Sequence, residues 1–174
     1  QYLESGAYLA KYRALQHKAL SSVRQFVCAA FSKAAAEVIE AQQRAQQAKG
    51  AAGAAGAMAA GASSKAGLET ALLYVKFKAA VPDLQKVVGA IQMRLSRQDY
   101  SRLMHDIQRF YSEKRIEVLG ESVEDHLLNY QTSNELPMLI RLGSAYLIQV
   151  TQMEYQLFRY FFPNSDAEAL EQVV

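Results

Sequence analysis

A single cysteine, Cys28, excludes an intramolecular disulfide framework and suits a reducing compartment. Tryptophan is absent and only three prolines interrupt the chain, so regular structure has room to run for long stretches. No apolar run approaches the roughly 20 residues that a membrane-spanning helix needs. The first residues, with Glu4 between Tyr2 and Tyr8, lack the basic and apolar regions of a signal peptide. No Asn-x-Ser/Thr acceptor occurs. Together these absences lead us to expect a cytosolic protein.

Chemistry-bearing motifs are missing too. There is no glycine-rich phosphate loop, no His-Glu-x-x-His, no Glu-x-x-His pair for a di-iron bundle and no calcium-loop spacing. His17, His105 and His126 lie far apart in sequence. Glu124, Asp125 and His126 are consecutive, so on a helix they point to different faces rather than to one ligand site. A small helical enzyme would need His105, Asp106 and His126 to converge in a pocket. Cys28 has no base beside it in sequence and reads as a small buried hydrophobe. We therefore nominate no catalytic, cofactor-binding or metal-ligating residue, expect no cofactor, and assign no partner-binding residue. Ten tyrosines invite a base-stacking role, but Tyr8, Tyr12, Tyr100 and Tyr146 fall on apolar helical stripes, so core packing is the better reading and no nucleic acid is expected.

What the chain does contain is helical patterning. Its 174 residues are 51% hydrophobic, enough for one sizeable core, although much of that fraction is alanine. It opens on Gln1 and closes on Val174 partway through an amphipathic pattern, so it reads as one helical domain, 1–174, excerpted from a longer protein. Charge is unevenly placed. Up to Ile116 there are 17 Lys/Arg against 8 Asp/Glu, and from Glu117 onward 2 against 9, which together give the net +2. Solvated helix faces with different neighbours account for such asymmetry. An anionic membrane surface facing the basic half is the alternative, and there each cation adds on the order of 1 kcal/mol.

The spacing predicts a first helix from about Ser5 to Gln47, with Tyr8, Tyr12, Leu15, Ala19, Val23, Phe26, Ala30 and Ala34 on one stripe that needs a partner. Residues 41–67 form an Ala/Gly/Gln tract, with ten alanines and four glycines between positions 48 and 66, and read as a flexible insertion. A second helix restarts near Leu68 with Leu68, Leu72, Val75 and Ala79 on one face. Pro82 kinks it or ends it and opens another through Ile91 and Leu95. A third carries Tyr100, Leu103, Ile107, Phe110, Lys114 and Val118 to a C-terminal cap at Gly120. Ser122 and Asp125 cap a short helix to about Tyr130, and Thr132, Ser133 and Asn134 form a turn. Pro137 opens a long helix with Leu139, Leu142, Tyr146, Val150, Met153, Leu157 and Phe161 at three-four spacing. Phe162-Pro163 ends it, and Ser165 with Glu168 forms a capping box for the next. Gly143, in a strongly apolar helix, points to a close-packed neighbour. Nothing argues for a sheet, and the fold class is an all-α, antiparallel helical bundle, a segment of an elongated rod.

Tyr74-Val75-Lys76-Phe77-Lys78-Ala79-Ala80-Val81-Pro82 sets aromatic and basic residues on a helical period and then interrupts the helix. Together with Tyr100, Leu103, Asp106, Ile107, Tyr111, Arg115 and Leu119-Gly120, then Arg141, Gly143, Ala145, Glu154-Tyr155-Gln156-Leu157 and Phe161-Phe162, it resembles the family of third subunits of the conserved oligomeric Golgi complex. Residues 7–39, with Tyr8, Leu9, Lys11, Tyr12 and Leu15, resemble the helix ahead of this region, and 41–67 look like an insertion. The resemblance implies a non-catalytic scaffold in a complex that tethers retrograde vesicles in intra-Golgi transport and protein sorting. It implies peripheral placement on the cytosolic face of Golgi membranes. Its partners would be the other complex subunits, with SNAREs, Rab proteins, golgins and vesicle coat. The alternative from another class is a peripheral membrane-binding helical module using the basic N-terminal half.

Overall fold

The computed structural model describes residues 5–52, 74–75, 77–79, 82, 84–133 and 135–165, and among these every regular element is helical. The elements are α1 (Ser5–Ala52), α2 (Leu84–Gln92), α3 (Gln98–Ser133) and α4 (Leu136–Phe161), with helical residues also at 74–75 and 77–79 ahead of α2. The expected all-α bundle is what forms. At about 1.5 Å per residue, α1 and α3 are rods of roughly 70 and 50 Å.

Two of the rods make an antiparallel hairpin. Tyr146 near the start of α4 stacks on His126 near the end of α3, while Phe162 just beyond α4 meets Tyr111 far back along α3. Pro137 sits in the first turn of α4, where its missing N–H costs nothing, and Phe162 caps the other end by donating its N–H to Phe158 O at 2.8 Å. The third rod runs the other way: α1 lies parallel to α3. Gln16 donates to Asp99, Arg24 pairs with Asp106 and Gln42 donates to the Val118 carbonyl, so both chains advance together. Parallel neighbours cannot be joined by a tight turn, and α2 lies between them in sequence.

α1 extends to Ala52, five residues past its expected end, because alanine is the strongest helix former and tolerates Gly50 within the run. Of the tract 41–67, residues 53–67 lie outside the described residues, as do Leu68, Leu72 and Glu168. Gly120 is not a cap, and Ser122 opens no new helix. α3 passes through both to Ser133, since His126 and Tyr130 pack on Tyr146 and that contact outweighs the cost of one interior glycine. Pro82 stands in a turn, α2 begins afresh at Leu84, and turns follow from Met93, so Ile91 is buried in α2 while Leu95 lies beyond it.

The core gathers where all elements meet. Phe31 of α1 contacts Phe77, Tyr111 and Phe161, with ring centroids 6.1, 5.3 and 5.4 Å away. The predicted α4 stripe is the one used, with Tyr146, Val150, Leu157 and Phe161 buried. The predicted α1 stripe is used only toward its end, where Ala34 is buried and Val23 and Ala30 pack against the core. Val27, Phe31, Ala34, Ala35 and Val38 enter the core, whereas Tyr8, Tyr12, Leu15, Ala19 and Phe26 stay exposed. The first turns of α1 project past the start of α3, which meets α1 only from Gln16 onward, and the helix turns a second apolar face inward there. Ahead of α2 the buried residues are Tyr74 and Phe77, with Val75 and Ala79 outside, because only the two larger rings face the junction of α3 and α4.

Candidate functional site

Among the described residues one charged pair lies inside this core. Arg115 of α3 donates through Nη2 to Glu154 Oε1 at 2.6 Å and through Nε to Oε2 at 3.0 Å, and both side chains are almost wholly withdrawn from solvent. Helical period places them there. Tyr111, Arg115, Val118 and Leu119 follow one inward stripe of α3, as do Val150, Glu154, Leu157 and Phe158 on α4. The antiparallel hairpin brings the two charged positions to the same height.

Two aromatic rings close the pair. The Arg115 guanidinium lies 5.0 Å from the Tyr74 ring centroid and 4.7 Å from that of Phe77, within cation–π range. The short helical stretch before Pro82 is thus clamped to α3 and α4 by a planar cation that it stacks upon and that Glu154 holds by two bonds. Burial tends to lower the Arg115 pKa, but the hydrogen bond and charge of Glu154 outweigh it and hold the guanidinium above its usual value. Burial, and then the nearby Glu154 carboxylate, push the phenols of Tyr74 and Tyr111 well above the ordinary tyrosine range. The Tyr74 and Tyr111 hydroxyls and Arg115 Nη1 are buried without a hydrogen-bond partner among the described residues.

Such an arrangement has little to offer a substrate. The carboxylate and guanidinium neutralise each other, aromatic rings shut off the approach, and neither phenol ionises near neutral pH. What it can do is fix how three segments seat, since any slip in register separates the charges inside a dry core.

The sequence-nominated residues do not assemble elsewhere. His17 and His105 are exposed, and His126 donates through Nδ1 to the Ser122 carbonyl at 2.7 Å while stacking on Tyr146. His105 and His126 share α3, separated by about 30 Å of helix, so the trio with Asp106 does not converge. Among the described residues no group of three His, Cys, Asp or Glu is placed to hold a metal ion. Cys28 is half-buried, and burial pushes its thiol up against a smaller lowering by Arg24. Of the tyrosines assigned to core stripes, Tyr146 is buried and Tyr100 partly so, while Tyr8 and Tyr12 face solvent. A Cβ on Gly143 would stand 3.5 Å from Leu127 Cδ2, so α3 does pass close by. Sequence reasoning missed the Arg115–Glu154 pair as a pair, although a charged residue on each of two apolar stripes was its signal.

No helix of the described residues is long and apolar enough to cross a membrane. The family model described as Conserved oligomeric Golgi complex subunit 3, C-terminal, matches residues 70–174, which include both charges and both rings of the buried junction. Proteins named Conserved oligomeric Golgi complex subunit 3 are similar to the chain. The Aedes aegypti protein is 26% identical over 170 residues, covering 96% of this chain and 17% of its own length. The Homo sapiens protein is 34% identical over 104 residues, covering 57% of this chain and 13% of its own. The Drosophila melanogaster protein is 26% identical over 166 residues, covering 93% and 17%. The chain therefore spans between about an eighth and a sixth of the length of these relatives. No solved structure matches it.

Proposed function

Because the chain belongs to the conserved oligomeric Golgi complex subunit 3 family, we propose that it is a non-catalytic helical scaffold segment of a Golgi vesicle-tethering complex, acting in retrograde intra-Golgi transport and protein sorting. The observation that carries the non-catalytic reading is the Arg115–Glu154 junction: among the described residues the most strongly organised polar group is sealed in the core and spends its interactions on joining helices. The role is mechanical. Rods of this length space other proteins apart, and several modest contacts along them add up to firm capture.

Its partners are the other subunits of the complex, with SNAREs, Rab proteins, golgins and vesicle coat reached through the assembly. It sits peripherally on the cytosolic face of Golgi membranes, and one domain spanning 1–174 carries the tract 41–67 as an insertion, whose first residues, 41–52, continue α1. Affinity purification of this chain from cells, beside a full-length relative as second bait, tests the reading by mass spectrometry. Both baits are expected to recover sibling subunits. Recovery by the relative alone contradicts a contact role for these helices, and recovery by neither contradicts the assignment to the complex.

A second reading draws on α1, which from 5 to 36 carries five Lys/Arg and no Asp/Glu beside exposed apolar side chains. On that reading the segment is a peripheral membrane-binding module, and flotation with anionic vesicles at low but not high salt is its mark.

A further inference from the structure

The exposed residues of α1 are ordered. Tyr8, Tyr12, Leu15, Ala19, Ser22 and Phe26 follow one another at alternating steps of four and three, the a/d spacing of a heptad, and all six face solvent. The large ones are more than half exposed: Tyr8 55%, Tyr12 71%, Leu15 62%, Phe26 55%. With Tyr12, Ala19 and Phe26 at a and Tyr8, Leu15 and Ser22 at d, the seam runs for about 27 Å. Its two shoulders differ. The e positions are Leu9, Gln16 and Val23; Gln16 is hydrogen-bonded to Asp99 and Val23 packs against the core, so α3 covers that side from Gln16 onward, while Leu9 stays exposed and adds to the open face at its start. The g positions are Lys11, Lys18 and Gln25, and they are exposed.

We propose that this seam docks one amphipathic helix of another polypeptide, about three heptads long, with acidic residues along the edge that meets Lys11 and Lys18. The inference deepens the scaffold reading by giving the chemistry of a partner, and it rests on that reading only in taking the occupant to be a protein. Charge selects an acidic helix, since the open shoulder is cationic and α1 has no acidic residue before Glu37. Shape selects a helix over a lipid surface. An a/d stripe is narrow, whereas a helix lying in a bilayer buries a broad apolar face, Asp99 on the adjoining α3 opposes an anionic leaflet, and Arg24 is already engaged by Asp106. The seam is ready to be covered: Ala19 and Ser22 at its middle let a neighbour approach closely, and the Ser22 hydroxyl already donates to the Lys18 carbonyl at 3.0 Å, so burying it leaves no unmade bond.

The test uses the whole 174-residue chain and two designed three-heptad peptides with leucine at a and d, one with glutamate at e and g and the other with lysine. By fluorescence anisotropy at low salt the acidic peptide is expected to bind roughly tenfold more tightly than the basic one. Lys11→Glu with Lys18→Glu inverts that preference, and Tyr12→Ser with Leu15→Ser abolishes binding without moving the melting temperature, since these side chains support no core. Equal binding of both peptides, or none of the acidic one, overturns the proposal. Capture by phosphatidylserine vesicles through Lys11 and Lys18 would assign the face to lipid, and concentration-dependent self-association lost in the Tyr12/Leu15 variant would assign it to a second copy. Failure here leaves co-purification with sibling subunits unaffected, so the two readings fail separately.

Discussion

Arg115 and Glu154, 39 residues apart in sequence, make a bidentate ion pair at 2.6 and 3.0 Å in the interior of a helical bundle, with Tyr74 and Phe77 stacked across the guanidinium. Both charged side chains are almost wholly withdrawn from solvent. The pair therefore acts as a key. It contributes little net stability against a well-packed apolar substitute, but it penalises every arrangement that parts the two residues.

Removing one member should be far worse than removing both. Glu154→Gln or Arg115→Met strands a buried charge and is expected to lower stability by about 3–5 kcal/mol, while Arg115→Met with Glu154→Leu recovers most of the loss. Chemical denaturation of the three variants checks this. Additive losses in the double variant would contradict the pairing.

Two glycines should respond in opposite ways to added bulk. Gly120 lies inside α3 with nothing within 4 Å of a Cβ, so Gly120→Ala should stabilise by about 0.5–1 kcal/mol. At Gly143 a Cβ meets Leu127 Cδ2 at ordinary contact distance. Alanine is tolerated there, whereas leucine must displace Leu127 and should cost about 1–3 kcal/mol. Unchanged thermal stability of Gly143→Leu would remove the close packing of α3 and α4 at that level.

Alkaline pH should unfold the chain through its buried phenols. Tyr74 and Tyr111 are held above the ordinary tyrosine value of 10.0, first by burial and then by the charge of Glu154. Their contribution is fully present below about pH 10, where tyrosine is neutral in both states. It is lost as pH rises from there toward the raised folded values, because the unfolded chain releases the proton first. Melting temperature followed across this range should fall less steeply in Tyr111→Phe.

Much of this architecture is legible in the residues. The α4 stripe from Leu139 to Phe161, the proline at its first turn and the stop at Phe162-Pro163 follow from spacing and from the missing proline N–H. Gly120 misled because local propensity favours a cap there, while the stacking of His126 on Tyr146, invisible to any window of sequence, keeps α3 helical. On α1 two apolar faces compete, and periodicity finds both without saying which one α3 will take. The junction was hidden for a related reason: Arg115 and Glu154 each look like a lone charge on an apolar stripe, and only the antiparallel pairing of α3 with α4 decides that they meet.

Hydrogen exchange of the Glu154→Ala variant, read peptide by peptide, tests most directly the claim that this pair holds three segments as one rigid body. The account predicts that residues 74–79, the stretch of α3 around Arg115 and the second half of α4 lose protection together, while the first turns of α1, which lie beyond the bundle, are unchanged. Loss confined to the immediate neighbours of residue 154, with 74–79 still protected, would contradict it.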